Sequence, residues 1–534
     1  LTKWKKREPV EDFFIFDDIK DKICKVRGID DVNEWLFPTE KSLHSPYLLN
    51  NIKKAGQRIV QAINNNEKIV ISADVDLDGC TSCAILYNYL KTFTNNLDYI
   101  YHQRYKGHGI QNQEVPPDTN LLIIVDSSTN ETEECKKLKE QGIDIIILDH
   151  HPQEKENPYC ILVNNNAFND EYPNKELSGA GICFKTIQVI DDLMNISYSQ
   201  QFIDLAGVGI YGDAMSMAEM ENRYFVYHAL KNIKNNGLKA ILKTNNIHID
   251  TINSTTIGFQ IVPMINACAR MNKIELALKL LTEKDFDICL KIAKKCKIMN
   301  QERKNKEDEI INRIKLKIDN SHSIIIVQDD YIGKGFNGLI AAKIANMYKK
   351  PTLVVKNKDG ICSGSGRSYG DINLKKILEE NNLVINAVGH ATAFGLDFQA
   401  DRISEIYETL DQKIQKREDV VEYDFEIYPY EIKEAIEVIE QFNYITGKNY
   451  EPIKVLIRDL KFKEIKILGK GDTIKIRSHI LDLIKFKTNS NYGNDIFDKF
   501  DAIGQLQMNS YYNWKKGGLV HSPQIILDDY KVCS

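Results

Sequence analysis

The sequence is poor in the residues that would mark a specialised chain. Proline accounts for 13 and glycine for 29 of its 534 residues, too few for a collagen-like or disordered polymer. No apolar run approaches the roughly 18 residues that span a bilayer; the richest, LLIIV and IDIIIL, have the length of strands. The 11 cysteines are scattered, and the opening stretch LTKWKKREPV has neither the apolar centre nor the small-residue cleavage site of a secretory signal. These absences predict reduced thiols in a cytoplasmic protein with no membrane attachment. Internal repeats and low-complexity tracts are lacking too. Nor is one sign of charge in surplus: 70 Lys and Arg face 75 Asp and Glu, and a net −5 gives no global case for a nucleic-acid partner.

What is present is ordinary globular composition, 43% hydrophobic and 27% charged, in a chain long enough for several cores. From residue 51 to 225, short continuous apolar runs (KIVISAD, NLLIIVD, DIIILD, CILV) alternate with helical stretches. That pattern predicts a parallel sheet covered on both faces. Residues 226–320 read as helical, with Leu278, Leu281, Ile288, Ile292 and Met299 at helical spacing, and are expected to connect rather than to form a core. A second α/β pattern runs from 321 to 415, a mixed link from 416 to 452, and short strands with turn signals from 453 to 534 predict a small barrel. Over 453–534 there are 14 Lys and Arg against nine Asp and Glu, so a net +5 is concentrated there against −10 elsewhere.

The chemistry-bearing residues gather at the ends of apolar runs. Asp74, Asp76 and Asp78 end KIVISADVDLDG, Asp126 ends LLIIVD, Asp149-His150-His151 end DIIILDHH, and Asp213 follows LAGVGIYGDAM. If all four runs are parallel strands, their carboxyl ends converge on one crevice. Converging carboxylates repel unless a cation sits among them, and oxygen ligands with an imidazole favour Mn²⁺ or Mg²⁺. A shared carboxylate can bridge two ions roughly 3.5–4 Å apart, the arrangement used for phosphoester hydrolysis. A lone Asp at a strand end is more often a turn or helix cap; four such elements in order are harder to dismiss.

Together these elements resemble motifs I to IV of the DHH phosphoesterase superfamily, and over nearly the whole chain the similarity is to RecJ-type single-strand-specific exonucleases. VRGIDDVNEWLFP and SPYLLNNIKKAGQRI resemble the lead-in, LSGAGICFK (177–185) a helix start, and PMINACARM (263–271) the element carrying Asn and Arg. GSGRS (364–368) and GHATAFGLDF (389–398) resemble the substrate motifs of the DHHA1 domain, and IKILG, IGQLQMN and PQIILDD the OB-fold that follows it.

The resemblance implies an α/β fold: a DHH domain with its lead-in (1–225), a helical connector (226–320), a DHHA1 domain (321–415), a linker (416–452) and an OB-fold barrel (453–534). It implies a 5′-to-3′ exonuclease releasing 5′-mononucleotides from single-stranded DNA in repair, recombination or replication. Asp76, Asp78, Asp126, His150 and Asp213 would hold two ions, Mn²⁺ or Mg²⁺, with Asp126 as bridge and Asp74 and Asp149 supporting from behind. His151 would face the scissile phosphate. Asn266, Arg270, Ser365, Arg367, Ser368 and His390 would bind the strand, since guanidinium matches phosphate with paired donors. A monomer is expected, with a single-strand-binding protein or a helicase as partner. The chain departs from the family pattern at Ser72, Ser127-Ser128, Met264 and Val388, changes that bear on affinity and substrate range. Two other functions fit the same residues: a phosphodiesterase for short oligonucleotides or cyclic dinucleotides, and a replication scaffold with a weak site.

Other patterns carry rival readings. GKGFNG (333–338) matches the dinucleotide pattern GxGxxG, and Cys80 and Cys83 form a CxxC at a helix start; the resemblance assigns the first to DHHA1 and the second to packing in motif I. The charged helix from Lys304 to Arg313 is expected to be a solvated face. Lys461, Lys463, Lys466, Lys475 and Arg477 suit a groove that tracks a single strand, or the outside of an ordinary barrel. Tyr511, Tyr512 and Trp514 are core residues or stacking platforms.

Overall fold

The computed structural model describes the chain apart from residues 1–2, 15–16, 103–108, 112, 415–419, 470–471, 489–490, 497, 514–517 and 534, and only the backbone of 334, 510–513 and 518–519. Trp514 therefore lies outside the described residues, as do the side chains of Tyr511 and Tyr512. None of the described helices is long and apolar enough to cross a membrane.

The first lobe is built on five parallel strands in the order Leu97–Tyr101, Ile69–Ala73, Leu121–Val125, Asp144–Leu148 and Ile161–Val163. Every residue of Ile69–Ala73 and Leu121–Val125 is buried, as continuous apolar runs require when both faces are covered. Because side chains alternate, Ile69, Ile71, Leu121, Ile123 and Ile146 enter the main core. Val70, Leu122, Ile124, Ile145 and Ile147 point the other way, into a smaller core shared with Cys135 of the helix Thr132–Glu140.

Residues 226–320 differ from their expected role. Leu238, Ile241, Leu278, Leu281, Cys289 and Cys296 belong to the main core, because each of these helices is amphipathic and turns its apolar stripe to the first lobe. Only the helix Phe286–Ile314 also works as a connector. Its 29 residues span about 44 Å. Its charged stretch is largely a solvated face, with Glu302, Lys304, Lys306 and Glu309 exposed, although Arg303 pairs with Glu307, Lys343 with Asp308 and Arg313 with Asp329 at 2.7, 2.7 and 2.9 Å.

The second lobe is a mixed sheet ordered Asn386–His390, Ala393–Gln399, Ile361–Arg367, Thr352–Lys358, Ile325–Gln328, parallel only in its last pair. The stretch 416–452 holds two strands, Val420–Tyr423 and Phe425–Ile427, and the helix Ile432–Phe442, whose Ile432, Ile436, Ile439 and Phe442 are buried. Val420–Tyr423 pairs with the N-terminal strand Lys3–Lys6, and Trp4 Nε1 donates to Asp529 at 2.7 Å.

The C-terminal strands close on themselves. Val455–Leu468 pairs with both Thr473–Ser478 and Lys499–Asn513; Thr473–Ser478 pairs with Asp482–Phe486. Gly518–Val532 completes the ring, parallel to Asp482–Phe486 and antiparallel to Lys499–Asn513. Val455, Ile457 and Leu460 reach the same main core as the first lobe.

Candidate metal centre and cleft

The strand Ile69–Ala73 ends one residue before Asp74, and Asp76 then caps the helix Leu77–Leu90 by accepting from Gly79 N at 3.1 Å. Asp78 follows in the first turn, fully buried. Asp126 and Asp149 each follow directly on their strands. Asp213 does not. It terminates the helix Ile203–Gly212, which corrects the expected strand: residues 203–210 are all buried, and a short apolar run without a polar face has no period to read. The acidic group reaches the cleft all the same.

His150 is the meeting point. Its Nε2 stands 3.3 Å from Asp126 Oδ1 and 3.4 Å from Asp213 Oδ2. Those two buried oxygens have no hydrogen-bond partner among the described residues. Potential ligand atoms of Asp78, His150 and Asp213 lie within 4.8 Å of one another, and so do those of Asp74, Asp76 and Asp126. The structure thus groups Asp74 with the front carboxylates, where the sequence reading had set it behind them. Burial and neighbouring carboxylates push Asp126 and Asp213 well above the usual carboxylate range, and burial with the charge of Asp76 lifts Asp78 to about 6. Burial and the charge of His151 lower His150 to about 3, so its ring is neutral and can ligate. Repelling carboxylates, two unpartnered oxygens and a neutral imidazole fit a divalent cation.

Asp149 has a different task. Its Oδ1 accepts from His150 N, His151 N and His151 Nδ1 at 2.8, 3.2 and 2.8 Å, and its Oδ2 from Thr129 Oγ1 at 2.6 Å. With both oxygens engaged, it orients the two histidines. Burial works to raise Asp149, but His151 beside it, helped by Thr129, holds it well below the usual range. Burial works to lower His151, and Asp149 overrides it, raising the ring to about 10. Asp78 is likewise held, by Ser178 Oγ, Gly179 N and Ala180 N at 2.8, 2.7 and 3.1 Å, at the start of the helix Gly179–Met194. Sequence reasoning missed Thr129, Ser178 and also His102, whose Nε2 lies 4.0 Å from Asp74 Oδ1. Ser72, the departure in motif I, donates instead to Gln113 Oε1 at 3.2 Å.

Across the cleft, the ring of His390 faces that of His151 with centroids 6.4 Å apart. Ser368 Oγ donates to Ala391 O at 2.8 Å and accepts from Leu374 N at 3.1 Å, so it fixes the turn that carries His390. Arg367 ends the strand Ile361–Arg367, which also holds Ser365. Arg270 Nη1 donates to Gly335 O at 2.9 Å, and a Cβ on Gly338 would lie 2.4 Å from Arg367 Nη2. Gly338 therefore makes room for Arg367, and the carbonyl of Gly335 holds Arg270, so two residues of the GxGxxG stretch position arginines. Asn266 lies one helical turn before Arg270, with Oδ1 buried and unpartnered among the described residues. Cys80 and Cys83 are fully buried, and burial drives both thiols upward, the opposite of an activated pair.

Comparison with known proteins points the same way. Residues 68–210 match the DHH family, N-terminal domain. A Bacillus subtilis (strain 168) protein named as an SPbeta prophage-derived single-strand DNA-specific exonuclease is 30% identical, over 96% of this chain and 95% of that one. The single-stranded-DNA-specific exonuclease RecJ of the same strain is 26% identical, over 95% of this chain and 67% of that protein. The crystal structure of RecJ from Thermus thermophilus in complex with Mn²⁺ shares the fold, with a TM-score of 0.79 at 20% identity over 97% of this chain and 76% of that one.

Proposed function

Because the chain belongs to the RecJ-type nucleases of the DHH superfamily, we propose that it is a metal-dependent exonuclease that degrades single-stranded DNA from the 5′ end to 5′-mononucleotides. The observation that carries this reading is His150 Nε2 held between the unpartnered oxygens of Asp126 and Asp213, with His151 and His390 facing each other over the same cleft. Asp76, Asp78, Asp126, His150 and Asp213 would hold the metal, with Asp74 joining Asp76 and Asp126. Asp78, His150 and Asp213 on one side and Asp74, Asp76 and Asp126 on the other, with Asp126 3.3 Å from His150, support two ions, Mn²⁺ or Mg²⁺. Such ions would polarise a phosphoryl oxygen as Lewis acids and neutralise charge on the leaving oxygen.

The chain's own residues do the rest. His151, its ring drawn toward the protonated form by Asp149 and aimed by the 2.8 Å bond to it, donates to a phosphate oxygen. Arg367 and His390 hold the strand from the second lobe, with Asn266 and Arg270 on the helix Val262–Arg270 and Ser365 on the β-strand that ends at Arg367. The C-terminal ring, five strands closed by one parallel pair, supports reading that domain as an OB-fold that tracks the single strand.

The test is digestion of a single strand of about 30 nucleotides, labelled at either end, with Mn²⁺ or Mg²⁺ and with Asp76→Ala as control. Immediate release of 5′-labelled mononucleotide by the wild type alone is expected. Release from the 3′ end would overturn the polarity. An intact strand with a hydrolysed dinucleotide would replace the reading with a small-substrate phosphodiesterase.

A further inference from the structure

A cation that no motif announced stands beside the loop that follows Asp213, carried by the segment before the barrel. The turn Gly447–Tyr450 closes on itself through Gly447 N to Tyr450 O at 2.9 Å and Tyr450 N to Gly447 O at 3.1 Å, with Asn449 left-handed at φ 62°. Four bonds fix it to the first lobe. Lys448 O accepts from Met217 N at 2.8 Å, Asn449 Nδ2 donates to Ser216 Oγ at 3.2 Å, Thr446 N to Ser254 Oγ at 2.9 Å, and Ile445 O accepts from Arg223 Nη1 at 3.2 Å. Arg223 is buried against the rings of Trp35 and Tyr450, 4.0 and 5.1 Å from their centroids. A Cβ on Gly447 would meet Met217 Cγ at 2.7 Å, so the approach needs glycine. The backbone of Lys448 is thereby pinned to the loop that begins at Asp213.

The side chain is committed far less firmly. Lys448 Nζ lies 2.7 Å from Glu176 Oε2, with the two side chains 44% and 34% exposed, and exposed pairs of this kind hold weakly. Glu176 Oε2 also accepts from Ser216 N at 3.1 Å, so it keeps a donor if the lysine leaves. The bonds of Lys448 and Asn449 to Met217 and Ser216, four and three residues past Asp213, set the lysine beside the cleft, and its charge acts on His150, Asp213 and His390. A phosphodiester entering there meets carboxylates on one side, and an ammonium on a pinned backbone offsets that repulsion.

We propose that Lys448 exchanges Glu176 for a phosphate of the bound strand and is a substrate-binding residue of the cleft. The inference rests on the nuclease reading above. It gives the segment leading to the barrel a direct part in seating the substrate.

The experiment compares wild type with Lys448→Gln, Lys448→Arg and Glu176→Gln in cleavage of a single strand, and in binding of that strand at several salt concentrations without divalent ion. For Lys448→Gln, KM is expected to rise about tenfold with kcat little changed, and the slope of log K against log salt to flatten by about 0.7. Lys448→Arg should keep both values, and Glu176→Gln, which frees the ammonium, should tighten binding. Wild-type KM and slope in Lys448→Gln would overturn the proposal. Equal losses in all three variants with a lowered Tm would overturn it too, by making the pair a structural clamp. If the wild type cuts no strand, the nuclease reading fails, and the binding arm still decides the role of Lys448.

Discussion

Gly179 lies so close to Asp126 that an added Cβ would stand 2.9 Å from the carboxylate Oδ1. The same atom would lie 3.0 Å from Asp78 Oδ2, which the Gly179 N–H holds at 2.7 Å. A methyl group there must displace two carboxylates of the centre, while at a helix start alanine is otherwise favourable. Gly179→Ala is therefore expected to lower affinity for Mn²⁺ alone by about 10- to 100-fold with little change in Tm. Calorimetric titration beside a thermal melt checks this; undiminished affinity would mean that the carboxylates shift freely and the glycine is incidental.

The opposite end of the sheet has a charge cluster that titrates separately from the centre. Arg58 Nε lies 2.7 Å from Asp144 Oδ2 and its Nη2 2.6 Å from Glu67, tying the helix Ile52–Asn64 to the strand Asp144–Leu148, and Lys139 adds a second cation to Asp144. Burial works to raise Asp144, but its bonds to Lys139 and Arg58 hold it below the usual value. A depressed folded value gives stability that is present above the unfolded pKa of about 3.9 and is lost as pH falls through the folded one. Because Asp144 is partly exposed, solvent screens the pair, and Asp144→Asn should cost only about 0.5–1 kcal/mol at pH 7. Urea midpoints should converge with those of the wild type below about pH 4. A cost that persisted undiminished in acid would assign the effect to packing.

The contrast between Asp126 and Asp213 shows what the sequence could disclose. Asp126 ends an apolar run of strand length, and the parallel arrangement put it in the crevice without any coordinates. Asp213 ends an equally apolar run that is a helix, because burial on every side erases the 3.6-residue period. Thr129 carried no local signal, and Ser178, though inside the LSGAGICFK stretch, gave no sign of its bond to Asp78, because the carboxylates they hold are remote in the chain. The core role of residues 226–320 and of the helix Ile432–Phe442 was underestimated for a related reason: amphipathic helices announce that they pack, but not against what.

Strand register revises the expected basic face of the barrel. Arg477 stands opposite Glu464 on one neighbouring strand and Asp482 on the other, at 2.7 and 3.2 Å. Lys466 pairs with Glu464 at 3.2 Å, and Lys475 pairs with Asp482. Among the described residues Lys461 and Lys463 form no ion pair, and Lys461 stands opposite Lys499 on the neighbouring strand. A cation already neutralised releases few counterions when a strand binds, whereas an open one releases close to a full share. Exchanging Lys461 and Lys463 for Gln should therefore flatten the salt dependence of single-strand binding by about 1.4, and exchanging Lys466 and Lys475 should change it little. Point variants are the right instrument, because Val455, Ile457 and Leu460 share a core with the first lobe and removal of the barrel would open it. Equal slopes in the two double variants would place the strand elsewhere on the surface, away from this edge of the barrel.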